Sequence, residues 1–486
     1  MSQEYQMLID GDWSSSETGE VIQVVNPATM EVIGIVPAAT EGQVDKAVRS
    51  AAAVKTYYRD TTVNFRCKLL RTIGKELQVN REEIARVLCM EQGKSFLREA
   101  VPEVEGVAQN FFRAAEDLIR MNGEVISSAA DGTKALVTRE ADGLYAVITP
   151  WNYPLGMAAQ YVAPCLAVGN PIVFKPASAT PLCGIYMARA IWKACQEVGA
   201  PSQIFQLVTG RGSVVGNCLV EHPLVDGIGF TGETSTGKEI LRRAGLKKVV
   251  LELGGNGPTI VLNDCDIQAA AAGAAAGLLD NAGQICSGTE RIFVQRGIEE
   301  VFIKALREQF SKVVLGDPLN AVTTMGPLNS EAGVKKVERH IQDAVDKGAR
   351  LICGGKRAHG YGSTLFFEPT ILDGVTSDMA IYQEETFGPV APVTVFDTDE
   401  EALLMANSSG YGLQMAVFTS SLKRATYFSK RLRAGCISVN ASSEYYEEHF
   451  PFGGAVGTLS GWGKVGGKFG LDQVSHLKNV IIHMEG

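Results

Sequence analysis

Helix-length amphipathic stretches alternate with short apolar runs along most of this chain, and that alternation restricts it to an α/β architecture. Helices are predicted over 41–58, 63–92, 104–119 and 181–197, and short apolar strands over 145–148, 171–174, 203–207 and 227–230. Each strand ends in turn-forming residues and runs on into a helix. Consecutive strand–helix units of this kind bury their apolar faces as a parallel sheet with helices on both sides. A second block begins after Gly255, with strand 259–262, an alanine-rich helix through 269–277, strand 291–294, helices 299–312 and 329–347, and strand 390–396. At 486 residues the chain has room for two or three domains and a large core. Two pieces stand apart from the alternation: 135–138 with 144–147 around the turn Asp142-Gly143, and the C-terminal 480–483.

Composition excludes several partner classes. A net charge of −9, with 20% charged and 45% hydrophobic residues, offers no electrostatic footprint for nucleic acid or an anionic membrane. The first twelve residues lack a basic and apolar leader pattern, and the most apolar helix, 269–279, is alanine-rich packing material. A cytoplasmic protein is the expectation. Ten cysteines (67, 89, 165, 183, 195, 218, 265, 286, 353 and 436) and six histidines form no C-x-x-C pair and no H-x-x-x-H or mixed cluster, so no metal is expected.

Chemistry concentrates in a few segments. Asn281-Ala-Gly-Gln-Ile-Cys286-Ser-Gly-Thr-Glu-Arg291 sets one thiol in a short polar turn with glycines, where a substrate has room and backbone N–H groups can face it. Leu251-Glu252-Leu-Gly-Gly255 supplies a carboxylate directly after an apolar strand. Together they offer a nucleophile and a general base for covalent catalysis at a carbonyl carbon. Taken singly, a buried structural cysteine and a surface glutamate account for the same residues. Strand 227–230 runs into Thr231-Gly232-Glu-Thr-Ser-Thr-Gly237-Lys and a predicted helix. Such a helix N-terminus presents unpaired N–H groups to a pyrophosphate, although an ordinary turn and cap reads the same way.

Glu252-Leu-Gly-Gly followed some thirty residues later by Gly-Gln-x-Cys286 resembles the aldehyde dehydrogenase superfamily. So do Pro150-Trp151-Asn152-Tyr-Pro154, Phe174-Lys175-Pro176, Phe230-Thr-Gly232, Glu385-Thr-Phe387-Gly-Pro389 and Pro451-Phe-Gly-Gly454, in the family's order from about Asn26 to the C-terminus. The resemblance implies a Rossmann-like dinucleotide-binding domain, an α/β catalytic domain and a small β oligomerisation arm. It assigns 1–122 and 144–253 to the first, 254–440 to the second and 123–143 with 471–486 to the arm, with 441–470 as a substrate and anchor loop. It further implies a homodimer or homotetramer and oxidation of a small-molecule aldehyde by NAD or NADP. Cys286 is the implied nucleophile, Asn152 an oxyanion donor beside the Cys286 N–H, and Glu252 the base that activates water. Pro150, Trp151, Lys175, Ser178, Thr231, Gly232, Gly237, Leu253, Glu385 and Phe387 would hold the cofactor.

Departures from the family pattern sharpen the expectation. Ser178 stands where NAD-preferring members often carry an acid that repels a 2′-phosphate, and Lys175 adds a nearby cation. Tolerance of NADP, with a lean towards it, follows; Lys175 could equally hold a ribose hydroxyl of NAD. Asn256 replaces a frequent lysine, and Glu233 a frequent serine. Glu252 favours a free acid over acyl transfer to coenzyme A. Asn256 and Lys175-Pro-Ala-Ser178 also occur in the succinate-semialdehyde branch. That branch places arginines where this chain has Gln160 and Asp280, and 441–450 holds three glutamates and no arginine. A neutral or cationic aldehyde is therefore expected, in a tunnel lined by Tyr153, Met157, Gln160, Ile285 and Tyr446. The alternatives are a succinate-semialdehyde-like or CoA-acylating semialdehyde dehydrogenase, and a non-catalytic scaffold of the same fold.

Overall fold

Two mixed, mainly parallel sheets organise the molecule, seen in a computed structural model that describes residues 3–484. In the first, five parallel strands lie in the spatial order Lys248–Glu252, Gly227–Thr231, Tyr145–Ile148, Ile172–Lys175 and Phe205–Leu207. Antiparallel strands extend both edges, Gly461–Trp462 on one side and Met7–Ile9 with Asp12–Ser14 on the other. Chain order runs outwards from Tyr145–Ile148 in one direction, then returns to place Gly227–Thr231 on its other side. The carboxyl ends of those two strands flank the reversal, which is where open α/β sheets form a binding crevice.

The strands are buried on both faces, which explains why they read as continuous apolar runs. Tyr145, Val147, Ile172 and Phe174 pack under helices Val63–Val79, Val101–Ile119, Pro154–Val168 and Leu182–Val198. The alternate residues Ala146, Ile148, Val173 and Ile228 pack under helices Glu41–Ala53 and Thr234–Ala244. The first of these, Glu41–Ala53, starts at a complete capping box, Thr40 with Gln43. The predicted helix over 41–58 breaks at Val54, and that over 63–92 at Asn80, whose side-chain amide donates to the Glu76 carbonyl and competes with helical continuation.

The second sheet has seven strands, in the order Arg350–Cys353, Thr370–Asp373, Val390–Phe396, Arg291–Gln295, Pro258–Val261, Gln414–Phe418 and Cys436–Val439. All neighbours are parallel except the first pair. Phe293 and Ile260 face one apolar cluster, Ile292, Val294 and Val261 the other.

A separate antiparallel sheet joins Glu124–Ser127, Thr133–Ala141 and Ser475–His483. The expected pairing of 135–138 with 144–147 around Asp142-Gly143 is not formed. Tyr145–Ile148 belongs to the centre of the first sheet because all four of its side chains are buried, whereas Thr133–Ala141 is mostly half-exposed and pairs with the C-terminal strand. No helix among the described residues is long and apolar enough to cross a membrane.

Candidate active site

Cys286 sits five residues before the start of strand Arg291–Gln295 of the second sheet and faces the carboxyl edge of the first. The chain reaches it through Asn281, Ala282 and Gly283, with φ of 48°, 55° and 75°. Three consecutive left-handed residues, two of them not glycine, constitute stored backbone strain that surrounding bonds must hold. Glu99 accepts from Asn281 N at 2.5 Å, and Gln92 Nε2 donates to Asn281 Oδ1 at 2.8 Å. Asn281 Nδ2 donates to the carbonyls of Asn152 and Gln284, both at 3.2 Å. Asn152 Nδ2 itself donates to Gln284 O at 3.0 Å. The predicted oxyanion donor is thus fixed to the same turn that presents Cys286. The Cys286 N–H makes no backbone hydrogen bond among the described residues.

Glu252 ends strand Lys248–Glu252 and is 1% exposed, yet neither carboxylate oxygen has a hydrogen-bonding partner among the described residues. Burial pushes its carboxyl up to about 8; the adjacent Cys286 thiol and Thr231 hydroxyl offset part of the rise and the Glu385 charge adds to it. The Cys286 thiol lies well above its ordinary value, first through burial and then through the neighbouring Glu252 charge. A buried carboxylate with no partner is costly in a folded protein and is tolerated where it serves chemistry. Gly255 is what lets the two segments meet: a Cβ there would lie 2.0 Å from the Cys286 carbonyl oxygen.

A cavity of about 400 Å³ opens onto Cys286. All five residues predicted for the tunnel, Tyr153, Met157, Gln160, Ile285 and Tyr446, line it. Helix Pro154–Val168 carries three features of its wall and is buried on nearly every side. Its N-terminus is held by Glu103, which accepts from Leu155 N at 3.1 Å and Gly156 N at 2.9 Å. The other Glu103 oxygen takes Lys94 Nζ at 2.6 Å in a fully buried pair, and that ammonium also sits 3.7 Å from the Tyr153 ring centre. Gln160 Nε2 donates to the Tyr446 hydroxyl at 2.9 Å.

Several wall residues escaped sequence reasoning as cavity groups: Glu99, Asn110, Phe452 and Val465, together with Arg98 at the exposed rim. The three glutamates of 441–450 divide. Glu444 and Glu448 line the cavity, Glu448 paired with Arg113 at 2.6 Å, whereas Glu447 turns to Tyr445 and His449.

The residues predicted for a dinucleotide gather at the sheet's switch point. Thr231 ends its strand and its hydroxyl lies 3.0 Å from the Tyr161 hydroxyl; helix Thr234–Ala244 starts two residues after Gly232. Gly237 packs against Leu253, since a Cβ would stand 2.5 Å from Leu253 Cδ2. Glu233 is exposed and its side chain makes no cap bond, leaving the helix end open. Lys175 is buried, with the Pro176 carbonyl at 3.1 Å as its only acceptor among the described residues, and burial lowers its ammonium to about 8. A buried cation without an anion fits a ligand that brings hydroxyls or phosphates. The Ser178 hydroxyl donates to Gly210 O at 2.9 Å.

Beyond Pro150, Trp151 packs edge-on against Phe387 with ring centres 5.7 Å apart. Phe387 has φ of 59°, and Glu290 holds that turn by accepting from Thr386 N at 2.7 Å and Phe387 N at 2.9 Å. The role of Glu290 was not visible in the sequence, although the residue sits only four positions after Cys286. Glu385 accepts from Gly255 N at 2.8 Å, and burial raises its carboxyl to about 7. Asn256 is fully buried and donates to the Tyr382 carbonyl at 3.2 Å, so it helps pack the second sheet.

Comparison with known proteins gives a consistent picture. Residues 13–480 match the profile of the aldehyde dehydrogenase family. The 3-sulfolactaldehyde dehydrogenase of Pseudomonas putida is 38% identical over 480 residues, covering 98% of this chain and 96% of the relative. The succinate-semialdehyde dehydrogenase [NADP(+)] of Escherichia coli K12 is 36% identical, covering 98% and 97%. Among solved structures, Staphylococcus aureus betaine aldehyde dehydrogenase in complex with NAD+ superposes with a TM-score of 0.94 at 34% identity, covering 99% of this chain and 98% of that one.

Proposed function

The chain belongs to the aldehyde dehydrogenase family, and from that premise we propose that Cys286, Asn152 and Glu252 are its catalytic residues. The enzyme oxidises an aldehyde to the carboxylic acid with NAD or NADP. Cys286 Sγ, its proton first given up to solvent, attacks the aldehyde carbon as the thiolate and forms a thiohemiacetal. The oxyanion falls to the Asn152 amide and the Cys286 N–H, donors that carry no proton able to leave; one such donor is worth roughly 10²–10³ in rate. Bound NAD(P)+ supplies the hydride acceptor. The thioester left on Cys286 is hydrolysed by water that gives its proton to Glu252. Glu252, buried beside the thiol and without a hydrogen-bonding partner among the described residues, is the single observation that carries this reading, because a carboxyl held near 8 there is poised to take a proton at neutral to mildly alkaline pH.

Lys175, Ser178, Thr231, Gly232, Gly237, Leu253, Pro150, Trp151, Glu385 and Phe387 would hold the dinucleotide. Among the described residues no carboxylate hydrogen-bonds Ser178, whose hydroxyl donates to Gly210 O, and that supports use of NADP with a lean towards it. The exposed apolar strand Ser475–His483 supports assembly into a homodimer or homotetramer, and ten unpaired cysteines support a reducing, cytoplasmic setting. The named relatives raise an acid-tailed substrate as a second reading, and Arg98, exposed on the cavity rim, is the observation favouring it.

The test is absorbance at the reduced-nicotinamide band with NAD and NADP, across aliphatic, aromatic, amino-, hydroxy- and carboxy-aldehydes. Turnover that yields free acid and disappears in Cys286→Ala is expected. Turnover that survives in Cys286→Ala, or that requires coenzyme A, overturns the assignment.

A further inference from the structure

The cavity in front of Cys286 carries an unusual charge pattern. Asp280, Glu99, Glu103, Glu444 and Glu448 all contribute to its wall. Three of these are already satisfied: Glu99 by Asn281 N and Ser95 N, Glu103 by Lys94 and two backbone N–H groups, and Glu448 by Arg113. The remaining two are not. Asp280 receives one bond to Oδ2, from the Tyr153 hydroxyl at 2.5 Å. Glu444 Oε2 is wholly buried and has no partner among the described residues. Burial and then the Asp280 charge raise the Glu444 carboxyl to about 8, and the same two causes raise Glu99 to about 8.

Resting on the aldehyde-oxidising reading above, we propose that Asp280 and Glu444 form the recognition site for a cationic group on the substrate, making an aldehyde with a protonated amine its preferred class. Two carboxyls brought together in a partly dry cavity repel each other unless a proton or a cation lies between them. An ammonium donates up to three hydrogen bonds, so one cation can bond to both carboxyls and offset one of their two charges. The cations that pair with wall carboxylates, Lys94 with Glu103 and Arg113 with Glu448, do not themselves line the cavity. Arg98 lies at the exposed rim, where solvent screens it. The aldehyde end then reaches Cys286 on the same cavity, past the apolar surfaces of Met157, Ile285 and Phe452.

The experiment compares three aldehydes of equal length, ending in an amine, a methyl group or a carboxylate, on the wild type, Asp280→Asn, Glu444→Gln and Arg98→Ala. Wild-type kcat/KM is expected to be highest for the amino-aldehyde. Its ratio to the methyl-ended aldehyde should fall roughly 10- to 100-fold in Asp280→Asn or Glu444→Gln, the size of a charge-assisted hydrogen bond. As a second readout that does not need turnover, the ω-amino alcohol should protect Cys286 from alkylation in the wild type and lose that protection in Glu444→Gln. A wild-type preference for the carboxy-aldehyde that Arg98→Ala removes overturns the proposal, and so does an unchanged ratio in both acidic-site variants. Loss of turnover on all three wild-type reactions would instead defeat the underlying aldehyde reading, since the methyl-ended substrate does not depend on charge.

Discussion

Glu252 concentrates the energetic conflict of the site in one side chain. It is buried, unpartnered and beside a thiol whose own proton it makes harder to remove. Its carboxyl stands near 8 instead of the usual carboxylate range because burial disfavours the charged form. Only the ionised form accepts a proton from water, so hydrolysis is expected to accelerate as pH rises through about 8. Replacement by Gln keeps the shape and removes the base. Glu252→Gln should therefore form the acyl-enzyme, releasing close to one equivalent of reduced cofactor per site in a burst, and then turn over roughly 10²–10⁴ times more slowly with no rise through pH 8. Rapid-mixing absorbance across pH 6–9 checks this, and a steady rate within threefold of wild type would remove Glu252 from the mechanism. The same side chain was legible in the sequence, since it follows an apolar strand and opens a Gly-Gly turn. Its lack of partners was not, because that depends on everything packed around it.

At the scale of elements, the site is two turns pressed together, Glu252–Gly255 at the edge of one sheet and 281–286 before a strand of the other. Gly255 sets their separation. Adding a methyl group there puts carbon 2.0 Å from the Cys286 carbonyl oxygen, so one turn has to move. Gly255→Ala should fold, lose about 1–3 kcal/mol of stability from overpacking, and lose on the order of 10² in kcat/KM through a displacement near 1 Å. Thermal melts beside steady-state kinetics measure both, and retention of kcat/KM within threefold would show that the two turns can slide without cost. The helices and central strands were readable because their patterning is local: Tyr145–Ile148 and Gly227–Thr231 are apolar on both faces and flanked by turn residues. The left-handed run Asn281-Ala282-Gly283 was not, since Ala282 carries no signal for a positive φ. Its support comes from Glu99 and Gln92, 182 and 189 residues away in the chain, and no spacing rule connects them. Glu290 is the intermediate case, near Cys286 in sequence but acting on a turn 96 residues away.

For the whole molecule, the unresolved balance lies on the antiparallel sheet. Ser475–His483 pairs along its full length with Thr133–Ala141, from Ser475 opposite Ala141 to His483 opposite Thr133. Its other edge has no partner among the described residues, since the strand order ends there. Leu477 is 62% exposed and Ile481 59%, with Val480 and Ile482 also open, and the opposite edge strand exposes Val125 and Ile126. An edge this apolar, with its backbone donors and acceptors in water, invites aggregation unless another chain covers it. A twofold assembly solves that problem with one surface, because the same strand then supplies both halves of the contact. The 135–138 segment reads as half of a local hairpin with 144–147, whereas its hairpin partner is Glu124–Ser127 before it and its other neighbour lies at the far end of the chain. Charge is the least disruptive way to test the cover: Leu477 and Ile481 are exposed, so Leu477→Lys with Ile481→Lys should leave the monomer fold intact while opposing burial of the strand. Sedimentation velocity of the wild type should show a dimer or tetramer of the 52.0 kDa chain, and the double variant should shift towards the monomer with weaker association. If the variant sediments as the wild type does, the arm is not what holds the copies together, and the exposed strand needs another occupant.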